Sequence, residues 1–350
     1  MIINSPVHKV IDSNAIYSAN IEFLGNTREL YFSVNKEFKH MLSSLSDPLL
    51  ISMLIPCMYK KDDITIKGML SENLYTNLNK IQDILCIVIP CLHKINVHAD
   101  NIVSTPNSSS KNVLAGFSAG IDAFVTFDDY FLNPKTETKI THFIFNNIDL
   151  NEAKVNEKVK RINNFLSEFD LKLLETRTNL HTFYEKKKIG FEQTHTLRNV
   201  AIPHFLGNNT EFLYSSTFSF DHISVKKSND VSIIDTILLP LLSTPSVLCK
   251  SVGSEYSRIE KTFKVAEIEF AYNYLDVCTK PDKTYINCGA CRKCTRALAT
   301  FELVNKKQHF SKVFNLNTWE SIRTSYLKNL YTHTQLNDKE LYDYMSKNTL

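Results

Sequence analysis

Four cysteines near the carboxyl end of the chain have a spacing that suits metal binding. Cys278 precedes the segment CGACRKC, in which two CxxC steps share Cys291 and are completed by Cys288 and Cys294. Four thiolates in this arrangement fit tetrahedral zinc with no position left for water, so the pattern favours a structural zinc site. An iron–sulfur cluster and a catalytic disulfide are the alternatives. The remaining cysteines stand singly among apolar residues and are expected to be buried thiols: Cys57, Cys86, Cys91 and Cys249.

A second stretch, GFSAGIDA from Gly116 to Ala123, has the residue types of a phosphate-binding turn. It lies between an apolar strand pattern and a helical pattern, where backbone N–H groups at the start of the helix bind anions. Ser118 would add a hydroxyl group and Gly120 would permit a tight turn, while Asp122 would cap the helix and hold a magnesium ion. The same letters satisfy GxSxG, the nucleophile elbow of α/β-hydrolases, in which Ser118 would attack an acyl carbon.

The elements around this turn alternate between strand and helix, which predicts a parallel sheet covered by helices. Strands are predicted at NVLAGFS, KITHFIFN, LKLLETRT and EFLYSSTF, and helices at IDAFVTFDDYF, AKVNEKVKRINNFLSEF, HTLRNVAIPHFL, SRIEKTFKVAEIEFAYNYL and RALATFELVNK. We therefore expect an α/β, Rossmann-like domain with helices on both faces at residues 112–310. It would contain the cysteine segment, residues 278–294, and be followed by a helical tail at residues 311–350.

The first hundred residues have a different pattern, in which short strands are mixed with helices. VHKVI, RELYFSV, ITIKG and KINVHAD read as strands, whereas LLISMLIPCMY and the segment from Ser71 through Ile81 read as helical. Residues 1–104 are therefore predicted to form a small α+β domain, whose role the sequence does not indicate. STPNSSSKN, residues 104–112, is rich in turn-forming residues and is the predicted linker.

The composition is that of a globular protein. Of the 350 residues, 43% are hydrophobic and 22% are charged, which excludes a disordered chain, and only eight are glycine. The net charge of +3 gives no broad basic surface, so a nucleic-acid partner is not expected. The amino terminus lacks a signal-peptide pattern, and the longest apolar run, residues 84–92, is too short to cross a bilayer. We expect a cytoplasmic protein with no membrane partner that acts on a small molecule, and a homodimer is left open.

Three features, in the same order, resemble the PP-loop ATP pyrophosphatases, enzymes that cleave ATP to AMP and pyrophosphate while adenylating a substrate oxygen. SAGIDA resembles their SGGxDS signature, with Ala119 at the first glycine and Ala123 at the final serine. Arg198-Asn199 resembles the RN dipeptide of the branch that makes cyano-deazaguanine in the queuosine pathway. A helix that carries a lysine, followed by a cysteine and CxxCxxC, completes the resemblance. It covers residues 112–300.

The resemblance implies a PP-loop (HUP-type) fold, ATP with magnesium, and a structural zinc ion. Ser118, Asp122, Arg198 and Lys261 become the candidate catalytic residues, with Arg198 expected to stabilise the α-phosphate of ATP. The predicted ATP contacts are Gly116, Phe117, Ser118, Ala119, Gly120, Ile121, Asp122, Ala123, Asn146 and Arg198. The predicted substrate contacts are Asn199 and three residues at or after the end of the fourth strand: Ser215, Ser216 and Asp221.

The implied activity is that of an AMP- and pyrophosphate-forming ligase that makes a C–N bond. It would adenylate a carboxylate or carbonyl oxygen of a small molecule or modified base and then couple ammonia or an amine. Sulfur transfer is the alternative within the superfamily, with Cys249 beside Lys250 as the candidate reactive thiol. A serine hydrolase that uses Ser118, and a catalytically weak nucleotide-binding module, are the alternatives from other classes.

Overall fold

The computed structural model describes residues 1–104, 112–147, 152–184, 189–207, 209–280, 284–332 and 336–348. The predicted linker falls almost entirely outside these ranges. The described residues form strands β1 (Ile2–Ile3), β2 (Val7–Ile11), β3 (Asn14–Phe23), β4 (Asn26–Asn35), β5 (Ile64–Ser71), β6 (Val97–Val103), β7 (Asn112–Gly116), β8 (His142–Asn147), β9 (Leu173–Thr178), β10 (Thr210–Ser215) and β11 (Val247–Val252). Their α-helices are α1 (Asp47–Lys60), α2 (Glu72–Val88), α3 (Ile121–Phe127), α4 (Glu152–Ser167), α5 (His195–Phe205), α6 (Asp235–Leu242), α7 (Arg258–Ala266), α8 (Ala271–Tyr274), α9 (Arg292–Leu303), α10 (Leu316–Asn329) and α11 (Leu336–Asn348).

Strands β7 to β11 form a parallel set in the spatial order β11-β10-β7-β8-β9. Counted along the chain within this set, the order is 5-4-1-2-3, which is the order of a doubly wound sheet. Helices α3 and α4 pack on one face with Ala115 and Phe143, whereas α5 and α6 pack on the other face with Leu114 and Ile144. The predicted α/β architecture, with helices on both faces of the sheet, is confirmed.

The amino-terminal region continues this sheet. Strand β4 pairs antiparallel with β9, with Phe32 opposite Thr178, and the order then runs β4-β3-β1-β5-β6, with β2 on β3. Helix α1 is buried along almost its whole length and packs against α5, so residues from both regions form one apolar core. The predicted division into separate domains stays a prediction, but the two regions share a sheet and a core.

One predicted helix is broken in the structure. The sequence predicts a single helix over residues 257–275, whereas α7 ends at Ala266 and α8 begins at Ala271. The hydroxyl group of Tyr272 donates to the Ala266 carbonyl oxygen over 2.9 Å, which satisfies an acceptor that the helix end leaves open. The break also lets Ile268 enter the core.

Among the described residues, none of the helices has both the length and the apolar composition needed to cross a membrane.

Candidate functional site

The turn after β7 occupies the point at which the doubly wound sheet changes direction. Strand β7 ends at Gly116, beside β10 on one side and β8 on the other. The chain leaves β7 toward α3 on one face, and α5 and α6 lie on the opposite face. In sheets of this kind, ligands bind outside the carboxyl ends of the strands at such a switch point. We call residues 116–123, the turn that the sequence predicts to bind phosphate, the phosphate loop.

The backbone of the phosphate loop opens at Ala119. The φ of Ala119, +57°, is in the left-handed region that favours glycine. Ala119 also stands at the position where the PP-loop signature has glycine. Gly120 is extended and caps α3 with no side-chain help, so Asp122 does not cap the helix as predicted. The Gly120 N–H points to the Ser118 hydroxyl oxygen over 3.4 Å.

Several apolar residues of the phosphate loop support it from the core. Phe117 is 1% exposed and stacks on Phe165 with ring centroids 5.0 Å apart, so its ring is not free to meet an adenine. Ile121 and Ala123 are also buried. A Cβ built on Gly116 would meet nothing within 4 Å, so there is open space beside the last residue of β7.

Asp122 lies between two cations on α7. The guanidinium of Arg258 donates to its Oδ2 over 3.0 and 3.1 Å, and the fully buried Lys261 ammonium lies 3.2 Å from its Oδ1. Burial would raise the pKa of Asp122, but the charges of Arg258 and Lys261 hold it below its ordinary value. The pKa of Lys261 is lowered by burial, against the pull of Asp122. Both carboxylate oxygens of Asp122 therefore have cationic partners, so neither oxygen is available to the magnesium ion that the sequence predicts there.

Two further cations come from α4. Lys158 and Arg161 both pair with Asp276, over 3.2 and 3.1 Å, and these three residues border one small cavity with Ala119. The Asp276 N–H donates to the Ala119 carbonyl oxygen over 2.8 Å. With Arg258 and Lys261, four cationic side chains surround the phosphate loop, against the carboxylates of Asp122 and Asp276 and that of Glu157, which also pairs with Arg161 over 2.7 Å. The local charge is positive, as an anion site requires.

The predicted substrate residues after β10 separate in the structure. Ser216 is buried, and its carbonyl oxygen accepts from Lys261 over 2.5 Å. The Ser215 hydroxyl lies 2.7 Å from that of Thr126 in α3, so both serines adjoin the phosphate loop. Asp221 is exposed in a short 3₁₀ turn, Phe220–His222, and no hydrogen bond described here joins it to the other predicted residues.

The RN pair lies in the first turns of α5, on the opposite face of the sheet. The amide of Asn146, at the end of β8, donates to Asn199 Oδ1 over 3.0 Å and so joins two predicted site residues. The guanidinium of Arg198 lies over the ring of Tyr184, 3.8 Å from its centroid. Among the described residues, no hydrogen bond or ion pair joins Arg198 to Asp122 or Lys261. Its predicted contact with the α-phosphate therefore stays a prediction.

The four predicted zinc ligands meet in space. The Sγ atoms of Cys278, Cys288, Cys291 and Cys294 all lie within 4.8 Å of one another. Tetrahedral zinc with bonds near 2.3 Å needs sulfur atoms about 3.8 Å apart, and the Cys278–Cys291 distance is 3.9 Å. Burial raises the pKa of Cys278, whereas the hydrogen bond shared with Cys294 lowers the pKa of Cys291. Four thiols in one tight cluster fit a metal ion such as zinc.

Backbone and amide contacts hold this four-cysteine centre to the rest of the fold. Gly289 has a φ of +75°, and a Cβ there would lie 2.2 Å from the Asn315 carbonyl oxygen. The buried Asn287 side chain donates to the Leu275 carbonyl oxygen over 2.7 Å and accepts from the Val277 N–H over 2.8 Å. Between these contacts lies Asp276, whose N–H binds the Ala119 carbonyl oxygen. Residues 275–294, which we call the metal segment, are therefore neighbours of the phosphate loop.

Sequence reasoning missed several residues that surround the phosphate loop. Arg258 stands three residues before Lys261 and shares its helix face, a spacing that could have drawn attention to it. Lys158 and Arg161 have the same spacing on α4, but basic residues are frequent along this helix, so the pair has no distinctive signal. Asp276 gave no local signal, because its partners are distant in the sequence.

Comparisons of the chain with protein-family models, with curated proteins and with solved structures gave no match.

Proposed function

We propose that this protein is an ATP-dependent enzyme of the PP-loop type, which adenylates an oxygen of a small acceptor and then couples ammonia or an amine to it. The observation that carries the proposal is the position of the phosphate loop, at the switch point of a doubly wound sheet and among four cations. Open space beside Gly116 and the positive surroundings fit a polyphosphate better than a neutral ligand.

Each group of residues has a distinct part in this proposal. The Ser118 hydroxyl and the N–H groups at the start of α3 hold phosphate oxygens, while Lys158 and Arg161 balance the charge of the pyrophosphate that leaves. Lys261 and Arg258 hold Asp122 and the Ser216 carbonyl oxygen, and so fix the two loops that border the crevice. An acceptor oxygen attacks the α-phosphorus, pyrophosphate departs, and the amine then displaces AMP with loss of a proton.

The four-cysteine centre has a structural part in this proposal. Four thiolates leave no open coordination position, so zinc there would fix the segment from Asp276 to α9 and take no part in the reaction. Magnesium is not assigned to Asp122, because both of its oxygens are engaged by cations.

Two observations favour this proposal over its alternatives. Burial raises the pKa of Cys249 to about 12 and leaves its side chain 1% exposed, which does not suit the reactive thiol of a sulfurtransferase. In a hydrolase elbow the nucleophile itself occupies the strained turn position, whereas here the left-handed residue is Ala119 and not Ser118. Among the described residues, no histidine is hydrogen-bonded to Ser118.

Calorimetric titration with inorganic pyrophosphate tests the phosphate loop without knowledge of the acceptor. We expect Lys158→Met to weaken pyrophosphate binding at least about tenfold, because a cation near the ligand contributes about 1.4 kcal/mol or more. Lys160→Met is the matched control, since Lys160 lies on the exposed side of the same helix. Equal loss in both variants, or none in either, would contradict the assignment.

A turnover experiment tests the reaction class. The wild-type protein is incubated with ATP, magnesium and a small-molecule extract, and the nucleotide products are separated. AMP with pyrophosphate is the expected outcome, whereas formation of ADP overturns the proposal. Labelling of Ser118 by a fluorophosphonate would point to the hydrolase instead.

Metal analysis tests the four-cysteine centre separately. We expect about one zinc per chain and its loss in Cys288→Ser. Cys91→Ser is the control, because Cys91 is exposed and lies outside the cluster. A zinc content near zero in the wild-type protein would defeat the zinc assignment, and bound iron would indicate an iron–sulfur cluster.

A further inference from the structure

A buried positive charge without a carboxylate partner lies on the face of the sheet that α5 covers, opposite α3. Arg198, in the first turn of α5, is 2% exposed, and its Nε and Nη1 atoms have no hydrogen-bond partner. Among the described residues, no carboxylate pairs with it. Burial of an unpaired guanidinium is strongly unfavourable, so a folded protein that keeps one has a reason to do so.

The aromatic rings around Arg198 compensate for only part of that penalty. Its guanidinium carbon lies 3.8 Å above the ring of Tyr184 and 5.5 Å from the ring of Phe191. Tyr184 is fixed, since its hydroxyl group donates to the Ser52 carbonyl oxygen over 2.7 Å. Burial raises the pKa of Tyr184 to about 12, against the pull of the Arg198 charge, so the phenol stays neutral. A cation–π contact is weaker than an ion pair, and the Nε–H and Nη1–H groups of Arg198 stay without an acceptor.

Two acidic side chains beside the start of α5 bond to residues other than Arg198. Asp230 accepts from His195 over 3.2 Å and from the Ser232 hydroxyl over 2.6 Å. Asp235 Oδ1 accepts from the Thr196 hydroxyl over 2.8 Å, and its Oδ2 has no hydrogen-bond partner. Neither carboxylate is described in contact with Arg198, so its charge is left for a ligand.

The position of Arg198 places it at the same edge of the sheet as the phosphate loop. Its neighbour Asn199 is bonded to Asn146, two residues beyond Ile144, which pairs with Gly116. Two residues of a strand span about 7 Å. Phe191, which stacks on His195 and is 40% exposed, gives this region one side that reaches solvent.

We propose that Arg198 is the anion-binding residue of a second subsite, which takes a singly charged carboxylate. One guanidinium, with no second cation in contact with it among the described residues, matches one negative charge. A phosphate group would find better partners at the phosphate loop. That this carboxylate belongs to the acceptor rests on the proposed function.

Thermal unfolding with sodium acetate as the probe tests the subsite without ATP. Acetamide serves as the uncharged analogue of acetate, and each addition is compared with sodium chloride at the ionic strength of the acetate sample. We expect acetate to raise the Tm of the wild-type protein by about 2 °C or more and acetamide to have no such effect. We expect the Tm of Arg198→Met in chloride to equal or exceed that of the wild type, because the variant removes a buried unpaired charge, and acetate to have no effect on it.

Two further variants keep the test decisive. Arg28→Met is the matched control, since Arg28 also stacks on a ring, that of Phe183 at 4.2 Å, but is exposed. It should keep the acetate response. Arg198→Lys keeps the charge and should keep part of the response, even if Arg198→Met fails to fold.

Three results would overturn the subsite: an unchanged acetate response in Arg198→Met, no acetate response in the wild type, or an equal response to acetamide. The experiment is also independent of the proposed function. Lys158→Met should weaken pyrophosphate binding and keep the acetate response. A wild-type protein that responds to acetate but does not bind pyrophosphate would remove the proposed function and leave the subsite standing.

Discussion

Replacement of Gly289 by alanine tests whether the four-cysteine centre is built around a backbone contact. A Cβ at this position would lie 2.2 Å from the Asn315 carbonyl oxygen and 3.2 Å from the carbonyl carbon. Both atoms belong to the backbone, so no side chain can swing away. The left-handed φ of +75° costs an alanine about 1–2 kcal/mol, and the forced movement adds about 1–3 kcal/mol. We expect Gly289→Ala to lower the free energy of unfolding by about 2–5 kcal/mol.

Two other glycines separate the contributions of conformation and contact. Gly25 has nearly the same φ, +76°, but an added Cβ would meet nothing within 4 Å, so Gly25→Ala should lose only about 1–2 kcal/mol. Gly116 has neither a left-handed φ nor a neighbour within 4 Å. Gly116→Ala should therefore be neutral or more stable by up to about 1 kcal/mol.

Urea unfolding followed by tryptophan fluorescence suits this comparison. The chain has one tryptophan, Trp319, which is fully buried, and its backbone nitrogen would lie 3.3 Å from the added Cβ. Far-UV circular dichroism gives the global transition, and zinc content is measured on the same samples. The reasoning is refuted if Gly289→Ala is as stable as Gly116→Ala, or no less stable than Gly25→Ala.

Three further substitutions test charge and conformation elsewhere, each by urea unfolding. Asp122→Asn removes the carboxylate that pairs with the buried Lys261, and it should lower the free energy of unfolding by about 3 kcal/mol at pH 7. The stability that Asp122 supplies is present above its ordinary pKa and is lost as pH falls through its lowered folded pKa, so the difference in stability between the wild type and the variant should narrow over that range. Burial raises the pKa of Asp47 to about 6, so the folded wild-type protein keeps a proton on Asp47 that the unfolded chain releases. The free energy of unfolding of the wild type should therefore fall by about 3 kcal/mol between pH 4 and pH 8. This loss should be absent from Asp47→Asn. Ala119→Gly should raise the free energy of unfolding by about 0.5–1 kcal/mol, because the φ of Ala119 is left-handed. Ala123→Gly, inside α3, is the control and should lower it by about 1 kcal/mol. A lower free energy of unfolding in both variants would show that the left-handed φ does not destabilise the wild type.

Local patterns predicted the parts of the fold that are contiguous in sequence. The four cysteines and the phosphate loop each lie within one short segment. Hydrophobic periodicity was enough to place most of the helices and four of the five parallel strands, β11 being the exception. Strand β3 was missed although its buried residues alternate, with Tyr17, Ile21 and Phe23 on one face. Helix α6 was missed because it is short and contains Pro240.

Long-range features had no local signal. The pairing of β4 with β9, which joins the amino-terminal strands to the parallel set, depends on residues about 145 positions apart and is not encoded in either segment alone. The cations around the phosphate loop come from α4 and α7, and their convergence follows from the sheet order. Arg198 was visible as part of a dipeptide, but its lack of a partner appears only in three dimensions.

The contact between the metal segment and the phosphate loop explains how an alanine is tolerated where the resemblance expects glycine. A left-handed alanine is unfavourable in isolation, yet Ala119 is held there by the bond from the Asp276 N–H to its carbonyl oxygen. Asp276 is fixed in turn by Lys158 and Arg161, and by Asn287, which binds the residues on both sides of it. The four-cysteine centre lies directly after this segment. The metal would therefore stabilise the conformation of the phosphate loop from outside it, which connects the two motifs that the sequence shows as separate.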